Sequence, residues 1–263
     1  MRWNVGLCGE AGCGKSTMAS TFPGVKMVFE FDDKPAAYQG TNTIYHTFMP
    51  TDDDFRACKL LMEQIIQEKG KVYLDADGNL FNDMGWPLGE ESGEEIVIPD
   101  CFILDSVTGM EKLTMAQAMV DDQRSKSPAD GPAEHHYLYT MQRTGQILDL
   151  FRMLPGSRIT TFHFEIMDIR KKGAVIDTTR WPLMIGKTRF RMRKEYGEWY
   201  HFTVERGDPR PEHKIMTHSP DDMAAFTTLG FDKIDKVPIL EVMEEPSFPY
   251  LMEKIEQYWE EKK

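Results

Sequence analysis

An α/β fold with a central, mostly parallel sheet flanked by helices follows from three features of the 263-residue sequence. Short apolar runs alternate with amphipathic stretches, the order that lays helices on the faces of parallel strands. The first apolar run, "RWNVGLC", leads into the glycine-rich "GEAGCGKST", and "KSTMASTF" then opens a helix. Toward the C-terminal half, paired short runs such as "MDIRKKGAVIDTT" add antiparallel hairpins.

The glycine-rich segment has the spacing G-x-x-x-x-G-K-[ST] of a P-loop, with Gly9, Gly14, Lys15 and Ser16 at the defining positions. Glycine lets the backbone curl until successive N–H groups point at phosphate oxygens, so Gly9, Gly12, Cys13, Gly14, Lys15, Ser16 and Thr17 are the expected nucleotide-holding residues. Lys15 adds a positive charge near the β and γ phosphates, and the Ser16 hydroxyl is the expected Mg²⁺ ligand. A glycine-rich turn with a chance lysine would not sit in register between a strand and a helix that closes before Pro23. The expected cofactors are therefore ATP and Mg²⁺.

After this helix, "KMVFEF" reads as a strand ending in Asp32 and Asp33. "TDDDFRACKLLMEQIIQEKG" carries a complete helix signature: Thr51 as N-cap, three aspartates in the first turn and Gly70 beyond the last lysine. Residues 71 to 95 break the alternation and read as an insertion, with a hairpin around Asp77-Gly78. A calcium loop on Asp75, Asp77 and Asn79 is excluded, because Leu80 stands where that loop needs glycine and Trp86 where it needs glutamate. "EEIVIPDCFILDS" is then a buried strand ending in Asp105 and Ser106, followed by the helix "GMEKLTMAQAMVDDQR" and a Pro/Gly/Ser-rich loop, "SKSPADGPAEHH". His135 and His136, without a third ligand nearby in sequence, read as surface residues. The helix "YLYTMQRTGQILDLFRMLPG", the strand "SRITTFHFE", a hairpin turning at Lys172-Gly173, the strand "EWYHFTVER" and an acidic terminal helix complete the chain. The expected division is a core over 1–215, with its insertion at about 71–95, and a helical acidic extension over 216–263.

Composition bounds the reading further. No run of 18 apolar residues and no signal-peptide profile is present, so a soluble cytoplasmic protein, with no membrane partner, is expected. Four cysteines without metal spacing read as reduced, small apolar residues. Net charge is −12, yet residues 158 to 214 hold 13 Lys+Arg against 8 Asp+Glu, a local net of +5. That island suits either a phosphate-facing surface or a solvated face.

Hydrolysis needs a carboxylate for Mg²⁺ and a base that orients water. Asp105, at the tip of the "CFILD" strand, suits the first role; its alternative is the N-cap of the next helix. Asp32 is the first choice for the base, with Glu30 and Asp33 as rivals, since parallel strands present their C-terminal ends to the ligand crevice.

The order of these motifs resembles the RecA-like P-loop ATPases, and more narrowly the phage-encoded ATP-binding proteins related to Sak-type single-strand annealing proteins. The P-loop, the acid after it, "FILDS", "TTFHFE", a hairpin and "P-L-x-x-G-K" carry the resemblance over roughly residues 1 to 215. It implies a homo-oligomer with ATP between neighbouring subunits, single-stranded DNA along loops, and a single-strand-binding protein as a further partner. Asp32 would match the family's catalytic acid, usually glutamate, so a slow or DNA-stimulated ATPase acting in recombination, annealing or replication is expected. His163 would match the polar sensor, and Arg206 and Arg210 the residues reaching a neighbour's ATP. DNA contacts would fall on Arg170, Lys171, Lys172, Lys187, Arg189, Arg191 and Arg193, with Trp181, Phe190 and Tyr196 for stacking. Two other functions stay open: a small-molecule kinase with "IRKKGAVIDTTR" as its lid, and a non-catalytic ATP-dependent interaction module. No N-K-x-D segment supports a GTPase.

Overall fold

The computed structural model describes residues 2–49, 51–122, 132–171, 174–185, 192, 195–205, 212–217, 225, 227, 231–232, 237–240, 242–243 and 247–262. In chain order the elements are β1 (Asn4–Gly9), α1 (Lys15–Ser20), β2 (Lys26–Glu30), β3 (Thr43–Thr47), α2 (Asp52–Gln67), β4 (Val72–Leu74), β5 (Glu95–Val97) and β6 (Cys101–Asp105). There follow α3 (Val107–Asp121), α4 (Glu134–Met153), β7 (Ser157–Phe162), β8 (Phe164–Lys171), β9 (Ala174–Pro182), β10 (Glu198–Glu205) and β11 (Glu212–Met216). The last are β12 (Phe231–Asp232), β13 (Val237–Pro238), β14 (Val242–Met243) and a terminal helix, α5 (Phe248–Glu261). The chain forms two compact units, Trp3–Pro23 with Ile159–Lys263, and Gly24–Arg158. The P-loop strand pairs with a strand about 190 residues later, which sequence-local reading cannot detect.

In the unit containing both termini, the hydrogen-bonded strands run β14-β11-β10-β1-β7. β1 is parallel to β10, while β10 with β11 and β11 with β14 are antiparallel. β8 and β9 form a separate antiparallel pair, Lys171 opposite Ala174, as the hairpin pattern predicts. Gly6 is register-paired with Trp199, and the indole occupies the space a side chain would need: a Cβ on Gly6 would lie 2.3 Å from Trp199 Cε3. Trp199 is wholly buried and stacks at a tilt on Phe162, 4.9 Å between centroids.

α5 begins with Ser247, whose hydroxyl accepts the N–H of Tyr250, and buries Phe248, Leu251 and Ile255 on one face. Phe248 meets Trp3 and Phe22 edge-on at 6.1 and 5.1 Å, and its N–H donates to Thr21 Oγ1. Burying one such phenyl ring contributes about 1.5–3 kcal/mol. Among the described residues of 216–263, β14 pairs with Ile215 and Met216, and the terminal helix begins at Phe248.

The Gly24–Arg158 unit has the strand order β6-β2-β3, all parallel. β2 is buried along its whole length because it has a neighbour on each side. α2 starts as expected, with Thr51 Oγ1 accepting the N–H of Asp54, and buries Phe55, Cys58, Leu61, Met62 and Ile65. Gly70 ends it at φ 98°, a left-handed geometry that favours glycine. α3 and α4 meet through the Thr114 and Thr144 hydroxyls, 3.0 Å apart.

Three readings of this unit change. The run "EEIVIPDCFILD" is two strands, because Pro99 lacks a ladder N–H and breaks it. β5 instead pairs antiparallel with β4, so the true hairpin partner of Val72–Leu74 is Glu95–Val97, and Asp77-Gly78 is only a tight turn. There Asp75 Oδ1 accepts the N–H groups of Asp77 and Asn79. β3, "TIYHT", extends the sheet beyond β2 and was not anticipated.

Gly6→Ala is expected to cost about 1–3 kcal/mol, the usual range for overpacking a filled core. Urea unfolding followed by far-UV circular dichroism measures it, and an unchanged midpoint would mean that Trp199 moves aside freely.

Candidate functional site

The loop after β1 is shaped by its glycines. Gly12 and Gly14 have φ of 78° and 99°, and Gly14 is the N-cap of α1 without any side-chain cap, so its turn leaves backbone N–H groups for an external acceptor. Gly9 has no room for a side chain: a Cβ would lie 2.6 Å from Cys13 Sγ and 2.7 Å from Phe202 Cβ. Lys15 is 6 % exposed, and its ammonium donates to Gly9 O (3.1 Å), Glu10 O (2.6 Å) and Cys13 Sγ (3.6 Å). The lysine is thus folded onto its own loop. Burial pushes the Cys13 thiol up, with Lys15 pulling it back, so Cys13 is a neutral packing group. Ser16 is half-buried and Thr17 exposed.

In the other unit two carboxylates end adjacent parallel strands. Glu30, last in β2, is register-paired with Asp105, last in β6, on strands about 4.8 Å apart. Asp105 Oδ2 accepts the Tyr38 hydroxyl at 2.7 Å in a buried setting. Helix capping belongs to the next residue: Ser106 Oγ accepts the N–H of Gly109 at 3.1 Å, so Asp105 is not the N-cap. Glu30 is 0 % exposed. Its Oε1 accepts the N–H groups of Asp32 (2.8 Å) and Lys34 (3.0 Å), while Oε2 has no hydrogen-bond partner among the described residues. Burial raises the Glu30 pKa, opposed by the Lys34 N–H, the Thr47 side chain and the Asp32 N–H, and the charge of Asp105 pushes it up further.

This loop, on a strand-to-helix turn, and these buried acids at strand tips are the parts from which nucleotide-binding sites of P-loop proteins are made. The sequence profile of the AAA domain matches residues 1–205. The chain belongs to the AAA domain family. It is accordingly a nucleotide-binding domain of the P-loop ATPase type, with the mixed α/β architecture and mostly parallel strands expected of a RecA-like fold. Among solved structures, the flagellar accessory protein FlaH from Methanocaldococcus jannaschii is similar at 10% identity. That likeness covers 86% of this chain and 83% of that one, with a TM-score of 0.33, too low to carry an argument. No curated protein matches the chain.

Within this AAA domain the other expected residues fall as follows. Asp32 and Asp33 lie beyond the end of β2, in the turn; Asp33 is exposed at φ 52°. Asp32 packs on the start of α3, where a Cβ on Gly109 would lie 2.5 Å from its Oδ1. The strand-tip position that motivated Asp32 is occupied by Glu30. His163 separates β7 from β8, half-buried, with its carbonyl accepting the N–H of Leu183. Lys171 ends β8. Lys172, Lys187, Arg189, Arg191, Arg193, Arg206 and Arg210 lie outside the described residues, as do Phe190 and most of "SKSPADGPAEHH". Tyr196 is half-buried, with its ring 5.7 and 5.5 Å from those of Phe162 and Trp199.

Two features escaped sequence reading. Tyr38, 67 residues from Asp105, carries no local motif. His136 is buried rather than on the surface, and Asp122 is the third polar group that sequence proximity hid. Asp122 Oδ2 meets His135 Nε2 at 2.5 Å and His136 Nε2 at 3.0 Å. His136 Nδ1 accepts the N–H of Ala133, so its proton sits on Nε2 and is donated to Asp122. This is a hydrogen-bonded helix start, with the N3 side chain reaching back to the N-cap.

The raised Glu30 pKa has a signed consequence. Its favourable contribution to folding is present below the ordinary value of 4.5 and lost as pH rises through the raised value, because the folded state then holds a buried anion. Glu30→Gln removes that cost, so its stability relative to the parent should increase from pH 4 to pH 8. Urea titrations at both pH values test this, and a difference independent of pH would show that burial does not raise the Glu30 pKa.

Proposed function

We propose that this AAA domain binds ATP with Mg²⁺, hydrolyses it slowly, and couples turnover to single-stranded DNA in a homo-oligomer. The observation that carries the catalytic part is the register pairing of Glu30 with Asp105, with Glu30 Oε2 buried and without a hydrogen-bond partner among the described residues. Two carboxylates at neighbouring strand ends and a P-loop serine are hard oxygen donors of the kind Mg²⁺ takes. Asp105 and Ser16 would hold it; when bound it neutralises charge on the β and γ phosphates.

Lys15 leaves the carbonyls of Gly9 and Glu10 for the phosphates, an exchange of neutral acceptors for charged ones. Glu30 accepts a proton from water at Oε2 as the water oxygen attacks the γ-phosphorus and the bond to the β–γ bridging oxygen breaks, giving ADP and phosphate. A carboxylate raised by burial is suited to taking that proton near neutral pH. Glu30 replaces Asp32 as the preferred base because it occupies the strand tip and is a glutamate. His163, Arg206 and Arg210 keep the sensor and neighbour-reaching roles that the family resemblance implies. The DNA part is supported by that resemblance and by the local charge of +5 over residues 158 to 214.

Lys15→Ala should lower ATP affinity roughly 10- to 100-fold while the protein stays folded, as measured by calorimetry. Glu30→Gln should retain binding and lose roughly 10²–10⁴-fold in kcat. The deciding measurement is ATPase rate against single-stranded DNA concentration at low salt. Stimulation, weakened and made less salt-dependent by Arg191→Glu with Arg193→Glu, supports the proposal; a flat curve would leave a nucleotide-dependent interaction module instead.

A further inference from the structure

In the Gly24–Arg158 unit a cavity of about 370 Å³ opens where the 71–95 insertion faces the first turns of α2 and the end of β3. Neither Glu30 nor Asp105 lines it. Its volume lies in the range of pockets that enclose a ligand group, roughly 300–1,000 Å³. Asp53, Asp54 and Asp83 line it against a single cation, Arg56.

The charges are unequally engaged. Arg56 is already used, its guanidinium lying 4.5 Å from the Trp86 ring centroid. Asp54 Oδ2 accepts the N–H of Met49. Asp53 and Asp83 are exposed, and neither forms an ion pair among the described residues. Aromatic and apolar side chains share the lining. His46 is held by Phe48 and Phe81, with ring centroids 4.7 and 4.6 Å away. Met84 is 78 % exposed, and Trp86, over whose ring Arg56 lies, is still 42 % exposed, large apolar surface among the carboxylates of the lining.

This combination selects one chemistry. A phosphate or nucleic-acid strand would meet net negative charge and no uncommitted cation. A fully apolar ligand would leave the carboxylates unused. An Arg or Lys side chain suits both kinds of lining residue, since its stem covers apolar surface while its head meets carboxylates. With three carboxylates against one guanidinium in its lining, the cavity draws in a basic segment.

We propose that this cavity is a docking site for a basic segment of a partner protein, taking an Arg or Lys side chain along Trp86 and Met84 and neutralising it with Asp53 and Asp83. The assignment does not depend on ATP hydrolysis. It is tested by fluorescence anisotropy with a labelled Gly-Arg-Leu-Lys-Arg-Gly peptide, against the same peptide carrying citrulline and norleucine in place of Arg and Lys. The charged peptide should bind and the neutral one should not. Asp53→Asn and Asp83→Asn should each weaken binding about two- to fivefold and together about tenfold, with Trp86→Ala also weakening it. Glu256→Gln with Glu260→Gln on α5, exposed acids outside the cavity lining, should change it less than twofold. All cavity variants should keep the parent's circular dichroism and ATP affinity. Equal losses from the α5 pair would overturn the proposal in favour of diffuse attraction to an acidic surface. Absence of peptide binding would overturn it too, as would cavity substitutions that alter only self-association in sedimentation velocity, which would make the occupant a second copy.

Discussion

Parallel pairing of β2 with β6 is the constraint on which the two buried strand-tip acids depend. In a parallel pair the strands run the same way, so both C-terminal residues arrive at one end. Here those residues are Glu30 and Asp105, held at strand spacing by the hydrogen bonds of the ladder. Each is a buried group that would be costly if ionised alone. The protein meets that cost differently at the two positions. Asp105 receives the Tyr38 hydroxyl, a donor to the charged form. Glu30 receives two backbone N–H groups on one oxygen, which is insufficient against burial and the neighbouring charge, and its pKa rises. Adjacent carboxyl groups are thereby given unlike environments, the condition under which an acid–base pair can divide its roles.

The P-loop depends on a different arrangement. Left-handed glycines at 12 and 14 form a turn that most side chains would strain, and Lys15 turns its ammonium onto two loop carbonyls. A lysine without such partners would be a poorly satisfied cation at 6 % exposure. Phosphate oxygens offer the same ammonium stronger, charged acceptors, so the loop can hold its lysine in place and still release it. Cys13 contributes by shape. Its sulfur occupies the space opposite Gly9, where a Cβ would collide.

Elements with a local chemical signature were legible in the sequence: the P-loop, the Thr51-capped helix and the strand ending at Asp105. What failed was non-local. β3 is a five-residue run, "TIYHT", none of whose residues is fully buried, so it lacked the apolar contrast of its neighbours and is specified by pairing with β2. Pro99 was overlooked inside a run of apolar residues, although its missing N–H divides that run between two sheets. Asp32 outranked Glu30 because strand ends are uncertain by a residue or two, and here that uncertainty decided which acid stands at the tip. His136 looked like surface because its partner, Asp122, lies 14 residues away across the helix connection.

The same residue types do unlike work in this domain because water reaches them differently. Asp53 and Asp83 are solvated, so their charge faces a cation arriving from outside. Glu30 is wholly enclosed, so its charge is costly and its pKa is raised. A net charge of −12 therefore counts together carboxylates that stand in solvent and carboxylates that are enclosed. Burial separates them, and it does so through strand order and hydrogen bonding, which is why the chemistry of this chain is read from where each acid sits rather than from how many there are.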